Sequence, residues 1–332
     1  MLIWKMMTNQ AQHDYTVKII ITITIKKTNL NMPKITMRDG YAIHVRELGT
    51  GNIPVILLHG FGMQSMHWLP FAWPLAKKFR FIIPDLRGFG HSHLSPHNQK
   101  CVISNYADDL ADLVEHYQLT RFKLAGISMG AFTALQYQKK YGDQKVAAYM
   151  HIDQGPITLN NEEWSWGIFG RDNVSRLKKA ELLVNKLMPY IENNAPYSTL
   201  PKNLTQELWQ NLGDFFSSAL SKPSHKALVI KACSHEGIIK RVMPTKNWPA
   251  YIFCLKSYLE HDYNMLETFE SLNIPVSLLV GLKSEMYPCG GQLRIADHTK
   301  QCEVITFNNS GHAPLIDQPF KFIKELNRFA ST

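Results

Sequence analysis

The sequence has few cysteines, and their arrangement argues against two kinds of stabilised fold. The five cysteines among 332 residues are scattered, odd in number and contain no Cys-x-x-Cys pair. A zinc knuckle and a disulfide framework both need a more regular spacing. A chain of this length buries enough apolar surface to fold without such cross-links. We therefore expect no metal site and a location in the reducing cytoplasm.

Long apolar runs are also missing. No stretch reaches the roughly 18 apolar residues that a transmembrane helix needs. The nearest run, VKIIITITI at residues 17–25, is too short and carries two threonines. Lys27-Thr28-Asn29 after it is a poor signal-peptidase site. We expect neither stable membrane insertion nor secretion, and we interpret residues 1–32 as an N-terminal extension that is disordered or not native, with Met32 as an alternative start.

Runs of basic residues are absent, although the formal net charge is +9. Four lysines against one aspartate give +3 in the first 33 residues, and the remaining +6 is spread over the rest of the chain. A nucleic-acid-binding protein shows a basic stripe with interleaved aromatic side chains. Gly49-x-Gly51 lacks the third glycine of a dinucleotide-binding fingerprint. The sequence thus predicts no nucleic-acid partner and no cofactor.

What the sequence does contain is an alternation of strand-like and helix-like segments. Residues 34–38 and 41–48 are extended runs around Asp39-Gly40, which is a hairpin signal. Short, wholly apolar runs follow, as in strands that are covered on both faces, and helical patterns separate them. The alternation predicts an α/β fold with a mostly parallel sheet. The runs lie at residues 54–58, 79–84, 121–125, 146–152, 275–280 and 303–307, and the helical patterns at 105–117, 131–141 and 320–329.

Residues 155–248 break this alternation, because helical patterns follow one another there without strands between them. Ligands of open parallel sheets bind beyond the carboxyl ends of the strands. We therefore predict that this stretch is a helical cap packed over the sheet, with residues 33–154 and 249–332 as the core. The helical patterns lie at 173–187, 205–220 and 226–233, and we interpret Pro189, Pro196, Pro201 and Pro223 as loop residues between them.

A Gly-x-Ser-x-Gly motif lies between a predicted strand and a predicted helix, at Gly126-Ile127-Ser128-Met129-Gly130. A serine on such a turn is held in a strained conformation, with its hydroxyl exposed at the sheet edge. Glycines on both sides let the backbone turn tightly and the helix approach closely. Ser128 is therefore the predicted nucleophile. The Met129 N–H, at the start of the helix, is a predicted oxyanion donor.

Two further segments supply the groups that a serine nucleophile needs. His59-Gly60-Phe61-Gly62 follows the run at 54–58, and the Phe61 N–H is the second predicted oxyanion donor. His59 itself we interpret as a structural anchor. His312 follows the last predicted strand, where a general base reaches a nucleophile at the same sheet edge. His312 is therefore the predicted base.

Residues 33–332 resemble the α/β-hydrolase superfamily. HGFG at 59–62, DLRGFGHS at 85–92, GISMG at 126–130 and SGH at 310–312 match its motifs in order. The resemblance implies an eight-stranded, mostly parallel sheet with flanking helices, a helical cap inserted after the sixth strand, and a Ser–His–acid triad. It also implies that DLRGFGHS shapes the loop beside the site.

The acid of the triad is the point at which the sequence departs from the family. Most members carry Gly-x-x-Asp after the seventh strand, but this loop begins Gly281-Leu282-Lys283-Ser284, and serine cannot carry the charge that stabilises an imidazolium. Glu285 lies one residue further along. Asp153 ends the sixth predicted strand, where some members of the superfamily place their acid. We favour Asp153 and keep Glu285 as the alternative.

The motifs and the resemblance together predict a serine hydrolase that cleaves a small apolar ester or related acyl compound through an acyl-enzyme. Ser128 excludes the aspartate nucleophile of the dehalogenases and epoxide hydrolases in this superfamily. Two alternatives stay open. One is cofactor-free perhydrolysis or carbon–carbon bond hydrolysis on the same triad, and the other is a non-catalytic module that binds a small ligand. The sequence does not determine the oligomeric state.

Overall fold

Eight strands form one sheet in the order β1-β2-β4-β3-β5-β6-β7-β8. The computed structural model describes residues 31–97, 101–235, 237 and 248–332. β2 runs antiparallel to both of its neighbours, and the strands from β4 to β8 are parallel to one another. The strands are β1 (Lys34–Thr36), β2 (Ala42–Leu48), β3 (Val55–Leu58), β4 (Phe81–Pro84), β5 (Phe122–Ile127), β6 (Val146–Ile152), β7 (Val276–Gly281) and β8 (Cys302–Phe307). The predicted sheet is confirmed.

The N-terminal hairpin forms where the sequence predicts it. Ile35 of β1 pairs with Ile43 of β2, and the chain turns at Asp39-Gly40 between the two strands. Residues 1–30 of the predicted N-terminal extension lie outside the described residues. Asn31 is described, and it forms a bridge with Glu47 of β2.

The central strands are apolar along their whole length because both faces of the sheet are covered. In β3, Val55 and Leu57 belong to one buried cluster, whereas Ile56 and Leu58 belong to the other. Each such side chain, fully removed from water, stabilises the fold by roughly 1.5–3 kcal/mol. Because alternate side chains point to opposite faces, the continuous apolar runs are the direct consequence of this two-sided burial.

Helices cover the two faces of the sheet. α1 (Leu69–Ala72) and the last helix contribute to one buried cluster, and α2 (Val102–His116) and α3 (Met129–Tyr141) contribute to the other. The helical patterns predicted at 105–117 and 131–141 are confirmed. The remaining helices are α4 (Asn173–Glu192), α5 (Lys202–Ser218), α6 (Pro223–Cys233), α7 (Trp248–Glu260), α8 (Leu266–Ser271), α9 (Cys289–Leu293), α10 (Pro314–Asp317) and α11 (Pro319–Ser331).

Helices α4 to α8 all lie between β6 and β7 in the chain. The part of this stretch at residues 155–248, which holds α4 to α6, is the insertion. The boundary that we predict between cap and core, at residues 248 and 249, falls at the start of α7, which packs against both α4 and α2. Two of the four prolines that we interpret as loop residues lie in helices. Pro223 is the first residue of α6, where a missing N–H costs no hydrogen bond of the helix. Pro189 does not separate helices but lies inside α4, in its final turn, where a missing N–H breaks only a single hydrogen bond of the helix. None of the helices in the described residues has the length and apolar character needed to cross a membrane.

Candidate active site

Ser128 lies on the sharp turn between β5 and α3. β5 ends at Ile127 and α3 begins at Met129, and Ser128 between them has φ 54° and ψ −123°. Residues with side chains rarely adopt this conformation, which costs of the order of 1–3 kcal/mol and persists only where the surroundings impose it. The Ser128 N–H donates to the Ile152 carbonyl at 3.1 Å, and the Ser128 carbonyl accepts from the Ala131 N–H at 2.8 Å. The turn thus has the geometry that the motif predicts.

The glycines of the motif are required because the backbones touch. A Cβ atom on Gly126 would lie 2.3 Å from the Gly130 carbonyl oxygen, and one on Gly130 would lie 2.4 Å from the carbonyl oxygen of Leu58. Both distances are far shorter than a van der Waals contact. The absence of these two side chains lets α3 start directly against the ends of β3 and β5.

Asp153 and His312 meet at the same edge of the sheet as Ser128. Asp153 follows β6, the strand beside β5, and its N–H donates to the Leu279 carbonyl of β7 at 2.9 Å. His312 lies after β8, and its Nδ1 is 3.8 Å from Asp153 Oδ2. Both side chains are buried, and neither of these two atoms has a hydrogen-bond partner among the described residues. The histidine therefore reaches back from β8 to the end of β6, which is the strand next to the serine turn.

The loop that carries His312 is held in place by Asp317 and by the insertion. Asp317 Oδ2 accepts a hydrogen bond from the Gly311 N–H at 2.8 Å and from the Ser221 N–H at 3.2 Å. The Ala313 N–H donates to the Ala219 carbonyl at 3.2 Å. Because residues on both sides of His312 are bonded, the imidazole is attached to a fixed backbone.

Burial dominates the electrostatics of the pair. It lowers the pKa of His312 to about 4 and raises the pKa of Asp153 well above its usual value. Three neighbours, Gln292 first and then Ser284 and the Gly281 backbone, act in the opposite direction and lower the pKa of Asp153. At neutral pH the His312 ring is therefore uncharged, which is the form that accepts a proton.

Glu285, the alternative acid, lies in a different environment. Its side chain is 56 % exposed and forms an ion pair with Lys226 of α6. Ser284, at the position of the usual family acid, accepts a hydrogen bond from the Tyr287 N–H at 3.4 Å. The structure thus brings Asp153 to His312 and does not bring Glu285 there.

Phe61 and Met129, the two predicted oxyanion donors, lie on either side of Ser128. A Cβ on Gly60, the residue before Phe61, would lie 3.3 Å from Ser128 Cβ, so the loop after β3 contacts the serine turn. Met129 is the first residue of α3, where backbone N–H groups lack a partner within the helix. Among the described residues, no carbonyl or side chain accepts a hydrogen bond from either N–H.

The Phe61 side chain joins the core to the insertion through aromatic contacts. Its ring stacks on Phe216 of α5, with centroids 5.9 Å apart and an interplanar angle of 20°. It meets Phe215 and Tyr251 edge-on at 5.1 and 5.7 Å. An apolar wall therefore stands beside the predicted oxyanion donors.

His59 and Asp85 anchor the loops around the site. The Leu86 N–H donates to His59 Nε2 at 2.9 Å, so His59 Nδ1 carries the proton that is donated to the Gly60 carbonyl at 2.8 Å. Asp85 accepts hydrogen bonds from the N–H groups of Ser65 at 2.6 Å and His91 at 2.9 Å. These bonds tie the loop after β3 to the DLRGFGHS segment, in agreement with the structural role expected for both.

Gln292 is a buried neighbour of Asp153 that no motif indicates. Its side-chain amide donates to Asp153 Oδ1 at 2.5 Å. It lies in the short helix α9, after a loop that the sequence marks only by its missing aspartate. A single glutamine there belongs to no motif whose spacing would predict that it reaches Asp153.

A cavity lies apart from this site, between the insertion and the segment after β4. It encloses about 1560 Å³, and its lining residues include Tyr41, His97, Trp209 and Trp248. Ser128, Asp153 and His312 are not among them. The predicted nucleophile, base and acid therefore do not line this cavity.

The fold and the strained serine turn together define a class of protein, the hydrolases built on an open α/β sheet. The family comparison identifies the family itself. Residues 53–319 match the model of the family described as alpha/beta hydrolase fold. The chain therefore belongs to the α/β-hydrolase family, and the predicted superfamily and enzyme class are confirmed.

Two of the curated relatives of similar length are named as esterases. The pimeloyl-[acyl-carrier protein] methyl ester esterase of Nitrosomonas europaea is 21 % identical over 282 residues, which cover 85 % of this chain and 97 % of that protein. The enzyme of the same name from Legionella pneumophila is 23 % identical over 287 residues, covering 86 % and 98 %.

Solved structures show the same fold. An esterase from Thermogutta terrifontis superposes with a TM-score of 0.68 at 21 % identity, covering 91 % of this chain and 98 % of that one. An esterase from Rhodococcus sp. gives a TM-score of 0.67 at 22 % identity with the same coverage. These likenesses extend over both the sheet and the helical insertion.

Proposed function

We propose that this protein is a serine carboxylic ester hydrolase with Ser128 as nucleophile, His312 as general base and Asp153 as the acid. The observation that carries the proposal is the meeting of three elements at one sheet edge. Ser128 lies on the strained turn after β5, Asp153 follows the adjacent β6, and its carboxylate is 3.8 Å from His312 Nδ1. The esterase names of the full-length relatives support the same reaction.

Acylation in this proposal begins with proton transfer from the Ser128 hydroxyl to the neutral His312 imidazole. The serine oxygen attacks the ester carbonyl, and the N–H groups of Phe61 and Met129 bind the oxyanion that forms. His312 then gives its proton to the leaving alcohol as the carbon–oxygen bond breaks. Asp153 stabilises the transient imidazolium and selects the tautomer with the proton on Nδ1.

Deacylation repeats these steps with water as the nucleophile. His312 takes a proton from the water, the same two N–H groups bind the second oxyanion, and Ser128 leaves with the proton that His312 returns. Each oxyanion donor contributes about 3 kcal/mol of transition-state stabilisation in enzymes of this kind. Burial of His312 and Asp153 strengthens the electrostatic interactions at the site, because the local dielectric constant is lower than that of water.

The substrate that fits best is a carboxylic ester with an apolar acyl group. The Phe61, Phe215, Phe216 and Tyr251 rings form the apolar wall beside the oxyanion donors. The relatives from Nitrosomonas and Legionella are named for methyl esters, so a small leaving alcohol is the first choice to test. Residues 155–248 act in this proposal as a cap, since Phe216 and Ala219 contact the oxyanion loop and the histidine loop.

The test combines covalent labelling with turnover. The wild type should react with a fluorophosphonate probe and hydrolyse p-nitrophenyl acetate, and Ser128→Ala should abolish labelling and lower kcat by at least about 10⁴-fold. Ser224→Ala is the matched control, because Ser224 is exposed on α6, and it should retain both properties. Labelling that survives in Ser128→Ala would end the proposal.

A series of p-nitrophenyl esters from acetate to decanoate separates the remaining alternatives. Preference for one chain length supports an acyl pocket against the aromatic wall. Labelling without turnover of any ester favours the non-catalytic binding module. Hydrogen peroxide is then added to the ester assay. Formation of a peracid at the expense of hydrolysis favours the perhydrolase hypothesis.

A further inference from the structure

The two oxygens of the Asp153 carboxylate have different partners. Oδ1 accepts a hydrogen bond of 2.5 Å from Gln292 Nε2, whereas Oδ2 has no hydrogen-bond partner among the described residues and lies 3.8 Å from His312 Nδ1. Asp153 is fully buried, and its backbone has φ 42°. One oxygen is therefore occupied by Gln292, and the other is left for the histidine.

Gln292 is held in one orientation by its own surroundings. Its amide nitrogen also donates to the Tyr287 carbonyl at 2.8 Å, and the side chain is fully buried. This nitrogen therefore lies between the Tyr287 carbonyl and the ionised Asp153 carboxylate, and both of these groups can only accept a hydrogen bond. An amide oxygen in the same place would face two acceptors, so the NH₂ group must point toward them.

The segment that carries Gln292 is the one in which most family members carry their acid. The loop after β7 has Ser284 at that position, and Gln292, in α9, follows eight residues later. The loop thus supports a carboxylate that comes from β6 and does not supply one itself.

From these contacts, and resting on the function proposed above, we infer that Gln292 is a positioning residue that orients the Asp153 carboxylate toward His312. Without this donor the carboxylate would lose the hydrogen bond that fixes Oδ1 and would take up a proton more readily in its buried site. The hydrogen bond from Gln292 is the largest of the effects that lower the pKa of Asp153 against burial. The other titratable groups that face the carboxylate are His312, Asp317 and Tyr287.

The first test replaces the amide with an apolar side chain of similar length. Gln292→Met should lower kcat for p-nitrophenyl acetate by about 10-fold to 100-fold, the loss typical of a misplaced catalytic group. KM should change by less than about 3-fold, and the acid limb of kcat should move to higher pH. Gln138→Met is the matched control, since Gln138 is also buried but bonds the Ala134 carbonyl within α3. It should leave kcat and the pH profile unchanged.

The second test keeps the shape and makes the donor titratable. In Gln292→Glu the new carboxyl donates only while protonated, so kcat relative to the wild type should fall as the pH rises. The test uses the change of this ratio with pH, so the two proteins need not have the same active fraction or the same stability. A wild-type pH profile in both variants, in an enzyme that is still labelled at Ser128, would overturn the inference and leave the proposed function intact. A wild-type protein that the fluorophosphonate probe does not label would overturn the proposed function.

Discussion

Asp153 and Glu285 are the two carboxylates that the sequence offers to His312, and their surroundings differ in every respect that matters for a triad. Asp153 is fully buried against the imidazole, whereas Glu285 is exposed and paired with Lys226. A buried carboxylate interacts strongly with an imidazolium because little water screens the two charges. An exposed carboxylate in an ion pair contributes little to either stability or catalysis.

This contrast gives a prediction for the two amide variants. Asp153→Asn should lower kcat by up to about 10⁴-fold, because asparagine cannot stabilise the imidazolium and permits the wrong tautomer. Glu285→Gln should retain kcat within about 2-fold. Steady-state kinetics on p-nitrophenyl acetate, with thermal unfolding as a check on folding, measure both. The assignment of the acid would be reversed if Glu285→Gln were the inactive variant and Asp153→Asn the active one.

Among the elements, the loop after β3 depends on the insertion that covers it. Gly62 has φ +69°, and a Cβ added there would lie 2.4 Å from Phe216 Cζ on α5. The neighbouring Phe61, whose N–H is a proposed oxyanion donor, stacks on the same Phe216 ring. The position of the ring and the path of the loop are therefore coupled.

A double-mutant cycle tests this coupling. Gly62→Ala should lower both stability and kcat/KM, through the collision with Phe216 and the strained backbone. Phe216→Ala should lower them through lost packing on Phe61. The double variant should be less impaired than the sum of the two, by at least about 0.5 kcal/mol, because removal of the ring relieves the collision. Additive effects in urea unfolding and in kcat/KM would show that the two elements are independent.

The elements also show which features are predictable from sequence. Strands such as β3 and β7 are predictable because burial on both faces makes them short apolar runs. The turn at Ser128 is predictable because its glycines are demanded by contacts of the backbone itself. By contrast, α7 is missed because its first eight residues are all apolar and give no helical period. Polar side chains, including Lys256 and Glu260, occur only toward its end.

The acid and its support are less predictable for a different physical reason. The choice between Asp153 and Glu285 depends on loop conformations that place side chains within about 4 Å of His312. Residue spacing along the chain does not determine such distances. Gln292 comes from a third segment, and only the folded chain brings it to Asp153.

For the whole molecule, the buried histidines couple stability to pH. His151 is fully buried, its ring nitrogens contact Tyr149 and the Gln154 carbonyl, and burial lowers its pKa to about 4. In the unfolded chain the same ring titrates near its ordinary value of about 6.5. Between these two values the unfolded chain binds a proton that the folded protein does not. His151 therefore makes the folded state less stable as the pH falls through this range.

A variant without the titratable ring isolates this effect from other groups, such as Asp109, whose pKa burial raises to about 6. His151→Gln should be less stable than the wild type at neutral pH, because it loses packing against Phe269. That difference in the free energy of unfolding should shrink by up to about 1.4 kcal/mol per pH unit between about pH 6.5 and about pH 4, since only the wild type takes up this proton on unfolding. Urea unfolding over this range measures it.

His116→Gln is the control for the substitution itself, because the His116 ring is exposed on α2 and its loss removes no buried packing. At neutral pH it should change the free energy of unfolding by less than about 0.5 kcal/mol. If the difference in the free energy of unfolding between His151→Gln and the wild type did not vary with pH, the folded wild type would already accept the proton. It would do so either by admitting water to the ring or by shifting Tyr149. Because Gln154, which the ring contacts, follows Asp153 directly, such water would also weaken the low dielectric on which the proposed His312–Asp153 pair depends. The same titration therefore tests how dry the base of the candidate active site is.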